Sequence, residues 1–387
     1  MAYGAGCDDI VKRLSGKTVV LAVTGSIAAV ETVKLAHALR RRGAEVQAVM
    51  TGAAAGIIHP DALTYATGRP VITRISGLVE HVLYCGEGGA ADLLLVAPAT
   101  ANTIGKIACG IDDTPVTTFA TTALGRGMPI VVAPAMHESM YRHPGVAENL
   151  GRLSSWGIDV IAPKIEEGKA KIADGDVIVL HAERALSRRP LAGKRVLITS
   201  GACAEPLDDV RIFTTRSTGR MGRELALEAF RLGADVTVVH SGSFPCVRNI
   251  HTTTAADMRS AVLRICRDEG IDIYVSAAAI SDFAPERLEG KIPSGSPLTV
   301  RLSPLPKIID EVMVACRHSV TVAFKLGWDE EERARAMLEA GLRMVVSNAP
   351  PVMGAAGGSF SIMTAEGVTE VSGSKEEVAA AVWSGLL

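Results

Sequence analysis

Lys17-Thr-Val-Val-Leu-Ala-Val-Thr-Gly25 opens a unit that continues through a helical pattern to Arg42-Gly-Ala-Glu-Val-Gln-Ala-Val-Met50. The same script returns as Lys194-Arg-Val-Leu-Ile-Thr-Ser-Gly201, a second helical pattern, and Leu232-Gly-Ala-Asp-Val-Thr-Val-Val-His240. Each is an unbroken apolar, β-branched run ending in glycine, then an amphipathic stretch, then another such run. Strands buried on both faces read this way, because neither face of a covered parallel sheet tolerates polar alternation. One βαβ opening per half predicts two domains.

Working outward, further strand-length runs fall at Leu93 to Ala97, Ile130 to Ala133, Ile271 to Ser276 and Val320 to Phe324. Helical patterns cover Ile27 to Arg41, Gly222 to Leu232, Ala255 to Asp268 and Glu330 to Ala340. The fold class predicted is α/β, with two Rossmann-like domains, each a largely parallel sheet flanked by helices. The chain's 387 residues exceed what one core usually serves. The basic, Pro/Gly-bearing stretch Ser187 to Gly193 marks the joint, giving domains of 1–188 and 189–387.

Composition narrows the function. No run approaches the length of a membrane span. Forty Lys and Arg against 42 Asp and Glu leave a net charge of -2, which predicts no footprint for nucleic acid or an anionic membrane. Phosphate recognition must therefore be local. Seven cysteines, odd in number and without a C-x-x-C pair, suit reduced thiols in the cytoplasm. Met1 to Lys17 holds Asp8 and Asp9 and no apolar core, so it does not read as a signal peptide.

Gly25-Ser-Ile-Ala-Ala29 lies where a strand turns into a helix, with free N–H groups and the Ser26 hydroxyl placed for a phosphate. A plain tight turn fits the same residues, since the spacing is not G-x-G-x-x-G. Met50-Thr-Gly52 and Ala97-Pro-Ala-Thr-Ala-Asn-Thr103 end two further strands, so three strand ends converge where open α/β sheets hold ligands.

Those residues, with His81, Gly110-Ile-Asp-Asp113 and Pro134-Ala-Met-His-Glu-Ser-Met140, resemble in order and spacing the homo-oligomeric flavin-containing cysteine decarboxylases over about 15 to 185. The resemblance implies FMN at a subunit contact, held by Gly25, Ser26, Ile27, Thr51, Pro98, Ala99, Thr100, Ala101 and Asn102. It implies that His81 assists the chemistry and that His137, where the family usually has asparagine, binds the substrate carboxylate. The family often places a proton-donating cysteine in the loop before the last helix, but Ile165 to Ile172 has none. If residues 81–85 are helical, His81 and Cys85 share a face, which makes Cys85 a candidate donor beside Lys169, Lys171 and His137.

The second half repeats the phosphate theme in Ser200 to Arg211 and in Ser217-Thr-Gly-Arg-Met-Gly222. These segments, with Ala277-Ala-Ala-Ile-Ser-Asp-Phe283, Gly290-Lys-Ile-Pro-Ser294, Pro306-Lys-Ile-Ile309, Ala323-Phe-Lys325 and Ser347-Asn348, resemble the phosphopantothenate–cysteine ligases. The resemblance implies a nucleotide site of Ser276, Ala277, Ala278, Asp282, Lys291, Leu305, Pro306, Lys307, Ile308, Phe324 and Lys325. Asp282 would also hold Mg2+, and the substrate would be CTP or another nucleoside triphosphate. Thr215 replaces a family asparagine, and no lysine occurs from Trp328 to Ser347, where bacterial members place two; Lys325 and Arg333, Arg335 or Arg343 are the substitutes the sequence offers.

Decarboxylase followed by ligase resembles the bifunctional coenzyme A biosynthesis family. It implies an enzyme that takes small-molecule substrates (4'-phosphopantothenate, cysteine, a nucleotide) and self-associates. Two other readings stay open on the residues: a nicotinamide oxidoreductase, suggested by the twin βαβ units, and a flavin-binding regulatory or scaffold subunit with one activity lost.

Overall fold

The computed structural model describes residues 11–295, 297–327 and 331–387. Residues 1–10, which carry Cys7 and most of the segment read for a leader, lie outside the described residues, as do Trp328 and Glu330. The chain divides into two compact units, Met1–Ser187 and Arg188–Leu387. No helix among the described residues is long and apolar enough to cross a membrane. No disulfide joins any two of the six described cysteines.

In the first unit, strands β1 to β8 are Thr18–Val23, Glu45–Met50, Leu93–Ala99, Ile130–Pro134, Met136–His137, Asp159–Val160, Lys164–Glu166 and Lys169–Lys171. Five of them form a parallel sheet in the order β2-β1-β3-β4-β6. The two-residue period of a strand divides β1 between two cores: Val19, Leu21 and Val23 pack with Leu35, Leu39, Leu63 and Ile178, while Val20 and Ala22 pack with Ile104, Phe119 and Leu153. Helices on both faces explain the unbroken apolar runs. Strands β5, β8 and β7 make a separate antiparallel flap.

The second unit contains β9 (Arg195–Thr199), β10 (Ala204–Pro206), β11 (Ile212–Thr214), β12 (Asp235–His240), β13 (Arg248–His251), β14 (Ile273–Ser276), β15 (Phe283–Pro285), β16 (Leu302–Pro304), β17 (Val320–Leu326), β18 (Met344–Asn348), β19 (Gly357–Thr364) and β20 (Gly367–Ser374). Its main sheet runs β13-β12-β9-β14-β17-β18-β19-β20, parallel as far as β18 and antiparallel in the last two pairings. The predicted helix Ala255–Asp268 is present with those bounds, closed by a reciprocal Thr254/Asp257 capping box. The 27–41 pattern splits instead into a 3-10 turn, Ile27–Glu31, and a helix, Thr32–Arg41.

The C-terminal helix, Lys375–Ser384, packs on Arg220–Arg231 through Trp383, which is fully buried and donates its Nε1–H to the Leu225 carbonyl at 3.0 Å. This contact ties the end of the C-terminal helix to the middle of the other. Trp383→Ala should lower the unfolding free energy of the second unit by about 3–5 kcal/mol, the usual cost of emptying a large aromatic site. Denaturant titration of the full chain reads it, and a loss below about 1 kcal/mol would mean that the helix is anchored elsewhere.

Candidate functional site

In the first unit the strand order reverses beside β1: the chain leaves β1 for β2 on one side and returns to β3 on the other. A switch point opens a crevice at the carboxyl ends of the strands. The buried Thr24 hydroxyl ties its two walls, donating to the Pro98 carbonyl at 2.7 Å and accepting from the Thr100 N–H at 3.0 Å. Gly25 is required by close approach, because a Cβ there would stand 2.6 Å from the Ala53 Cβ. The turns are capped locally: Ser26 Oγ accepts from Ala28 N–H, Thr51 Oγ1 from Ala54 N–H, and Thr100 Oγ1 from Thr103 N–H.

A cavity of about 430 Å³ results, and Gly25, Ser26, Thr51, Thr100, Ala101 and Asn102 of the expected set line it. Pro98 and Ala99 do not; they are buried strand end and hold the loop from beneath. Ile27 also lies off the cavity and is 78% exposed. Lys106, which pairs with Asp113 at 2.7 Å, and Thr114 line the cavity although the sequence did not single them out, since an ion pair across a helix end reads as ordinary surface.

His81 sits in a helix, Glu80–Cys85. The preceding turn is pinned where Glu80 accepts from the Ser76 hydroxyl and N–H, and these two bonds hold its carboxyl below the usual range. The His81 Nδ1 is buried and has no hydrogen-bond partner among the described residues. His81 does not line the cavity of its own chain. Leu78, Val79, Val82 and Leu83 around it are exposed.

Cys85 needs correction. Its thiol is fully buried among Leu94, Val96 and Phe119, where burial pushes its pKa up to about 12, and it does not line the cavity, so the structure places it in core packing. The flap brings forward a different pair. Strand β5 places His137 directly across from Lys169 of β8, both exposed, while Met136 and Met140 beside them line the cavity. Lys171 is occupied by Glu166 at 3.2 Å and Glu167 at 3.0 Å.

The second unit repeats the plan with other means. Its switch point lies between β9 and β14, joined by backbone alone: Ala277 N–H donates to Thr199 O at 3.1 Å and Ala279 N–H to Gly201 O at 2.8 Å. Thr215 Oγ1 donates to Ala279 O at 3.1 Å, which turns it toward this loop. Gly222 brings the helix Arg220–Arg231 against the turn so closely that a Cβ would lie 2.1 Å from Ser200 Oγ. The cavity there, about 120 Å³, is lined by Ser217 to Gly222, Ala277 to Ala279, Phe324, Lys325, Asn348 and Lys375, among others.

Of the expected nucleotide residues, Ala277, Ala278, Phe324 and Lys325 meet in this cavity. Ser276, Asp282, Lys291 and Leu305 to Ile308 do not line it. Arg335 pairs with Glu331, and Arg343 with Glu366 at 3.3 Å; neither they nor Arg333 reach the cavity as substitutes. Arg220, from the quoted Ser217–Gly222 segment, and Lys375, which the sequence did not single out, do reach it.

Lys291 is exposed on a loop tethered next door: the Ile292 N–H donates to the buried Asp208 carboxylate at 3.0 Å, and Asp209 N–H to Gly290 O at 3.2 Å. Burial alone would raise the Asp208 pKa, but the N–H groups of Ile292, Val210 and Arg211 and the Arg211 guanidinium outweigh it and hold the carboxyl far below its usual range. No group of three His, Cys, Asp or Glu suited to a metal occurs among the described residues.

Known proteins match both units. The flavoprotein family profile covers residues 11–186, and that of the DNA/pantothenate metabolism flavoprotein C-terminal domain covers 191–387. The coenzyme A biosynthesis bifunctional protein CoaBC of Thermococcus kodakarensis is 49% identical over 348 residues, 87% of this chain and 86% of that one. The protein of the same description from Methanocaldococcus jannaschii is 37% identical over 380 residues, 95% of this chain and 92% of that one. Among solved structures, the C-terminal domain of a coenzyme A biosynthesis bifunctional protein CoaBC aligns with 51% of this chain and 95% of its own, at 26% identity and a TM-score of 0.43. With both halves matched in order and relatives similar over nearly their whole length, the chain belongs to the family of coenzyme A biosynthesis bifunctional proteins.

Proposed function

We propose that the two units perform consecutive steps: residues 189–387 join 4'-phosphopantothenate to cysteine, and residues 1–188 decarboxylate the 4'-phosphopantothenoylcysteine to 4'-phosphopantetheine. The observation that carries this reading is the presence of two separate switch-point cavities in one chain, each lined by part of its expected ligand set. Both activities belong to the cytoplasm, a reading supported by the absence of a disulfide among the described cysteines.

FMN suits the first cavity through its lining: the hydroxyls of Ser26, Thr51, Thr100 and Thr114, the Asn102 amide and Lys106 surround about 430 Å³ at the strand ends. Gly25, Ser26, Thr51 and Thr100 to Asn102 would hold it. Loss of CO2 from a cysteine amide leaves an unstabilised carbanion, and a flavin supplies the oxidation that places an electron sink β to the carboxylate and the matching reduction afterwards. His81 takes and returns the thiol proton. His137 binds the substrate carboxylate. The last proton is assigned to Lys169 or His137 on the flap, a reading supported by their cross-strand pairing beside the cavity-lining Met136 and Met140. The exposed Leu78, Val79, Val82 and Leu83 support self-association that brings His81 to the cavity of another copy.

In the second unit the phosphopantothenate carboxylate attacks the α-phosphorus of a nucleoside triphosphate, CTP in the reading given above, and pyrophosphate leaves. The cysteine amine then displaces the nucleoside monophosphate. Ala277, Ala278 and Phe324 would receive the base and Lys325 the phosphates; Asp282 would hold Mg2+, which together with Lys291 would offset the negative charge developing at the reacting phosphorus.

His81→Asn should keep flavin absorbance and lose CO2 release by about 10²–10⁴-fold, the range for a removed acid/base group. Near-normal turnover removes His81 from the chemistry. Lys291→Gln should abolish ligation and leave decarboxylation of supplied phosphopantothenoylcysteine intact. Asp208→Asn, which weakens the anchor of the Lys291 loop, should reduce ligation about tenfold with decarboxylation again intact, since one charge-assisted bond is worth roughly 1.5–3 kcal/mol. Loss of both activities in either folded variant contradicts the division of labour.

A further inference from the structure

Lys375 is the first residue of the C-terminal helix, and its sequence setting, Ser374-Lys-Glu-Glu377, is that of a solvated helix start. In the structure it is only 6% exposed and lines the cavity of the second unit. A buried ammonium ordinarily has an anion. Both carboxylates beside it are engaged elsewhere: Glu376 faces Arg231 at 3.6 Å, and Glu377 accepts from the Ser374 N–H at 2.7 Å and hydroxyl at 2.9 Å. No side-chain hydrogen bond or ion pair is made by Lys375 among the described residues.

Its charged neighbourhood is cationic instead. Arg220, at the start of the 12-residue helix Arg220–Arg231, lines the same cavity and donates to the Gly354 carbonyl at 2.9 Å. Lys325, at the end of β17, lines it too. Gly219, the N-cap of that helix, caps no N–H with a side chain, so the helix presents its positive end to the same space. Burial, and after it the charge of Arg220, lower the Lys375 pKa. Three cations and a helix start around one cavity, with no carboxylate lining it, form an arrangement whose missing member is an anion of several charges.

We propose that Lys375, with Arg220 and Lys325, binds the polyphosphate of the ligase substrate and supplies the ammonium charge that no lysine of the segment 328–347 provides. The inference rests on the ligase reading of this unit. It assigns the role to a residue delivered by the β19–β20 hairpin and held by Trp383, on the opposite side of the sequence from the loop lysine Lys291. Holding an ammonium out of water without a counter-ion destabilises the ligand-free chain, and the ligand relieves that cost on binding.

The test uses the full chain with inorganic tripolyphosphate as probe, alongside ligation assays with each nucleoside triphosphate. For the unchanged protein, the thermal midpoint should climb with tripolyphosphate concentration. Lys375→Met should raise the midpoint of the ligand-free chain, require about 10- to 100-fold more tripolyphosphate for the same climb, and raise the nucleotide KM by a similar factor, the worth of one charge-assisted contact. Decarboxylation of supplied phosphopantothenoylcysteine should not change. Lys375→Arg, which keeps the charge, should recover most of the tripolyphosphate response, and Arg220→Gln should weaken it if Lys375→Met does not fold. A folded Lys375→Met protein with unchanged tripolyphosphate response and nucleotide KM overturns the proposal while leaving the ligase reading in place. A tripolyphosphate response that depends on Lys375 in a protein that ligates with no nucleotide upholds the anion site and overturns the ligase reading.

Discussion

A hydroxyl buried between two strand ends governs the first unit. Thr24 both donates to Pro98 O and accepts from Thr100 N–H, so the strands on either side of the switch point are locked at the one place where parallel order forces them to part. A parallel sheet covered on both faces satisfies its backbone internally along its length and leaves only its ends to meet a ligand. The second unit meets the same constraint with two backbone bonds between the loops after β9 and β14. Everything assigned to function hangs from these two joints.

From equal joints the units diverge through what they attach. The first adds a short antiparallel flap that carries His137 and Lys169 beside Met136 and Met140, a cover that pairs apolar surface with donors. The second adds two antiparallel strands at the sheet edge and returns a helix to the cavity, so that charge arrives from the far end of the chain. A chain of net charge -2 thereby gathers positive charge in one small volume without a basic surface.

The βαβ openings were legible because two-sided burial leaves a long, unbroken apolar signature. The cavity turns were legible for a related reason: glycine and hydroxyl residues at strand ends, as at Gly25 and Thr100, have few structural uses there. Long-range contacts were not legible. Lys375 lies between a serine cap and two glutamates, and only Trp383 docking on Leu225 and the Arg231 contact to Glu376 reveal that it is buried. Strands β19 and β20 escaped notice because Gly357, Gly358 and Gly373 interrupt them and β20 is mostly polar, as an edge strand is. Cys85 marks the limit of helix spacing: it shares a six-residue helix with His81, but its thiol is fully buried in the core.

Two cavities in one chain carrying two consecutive reactions is the arrangement on which the rest stands or falls. Its most direct test is to incubate the purified full chain with FMN, Mg2+, 4'-phosphopantothenate, cysteine and each nucleoside triphosphate in turn, and to identify the products by mass. The account predicts 4'-phosphopantetheine, with one CO2, one pyrophosphate and one nucleoside monophosphate formed for each molecule. Failure to form 4'-phosphopantothenoylcysteine with any nucleotide, or its accumulation without CO2 in flavin-loaded protein, would contradict it.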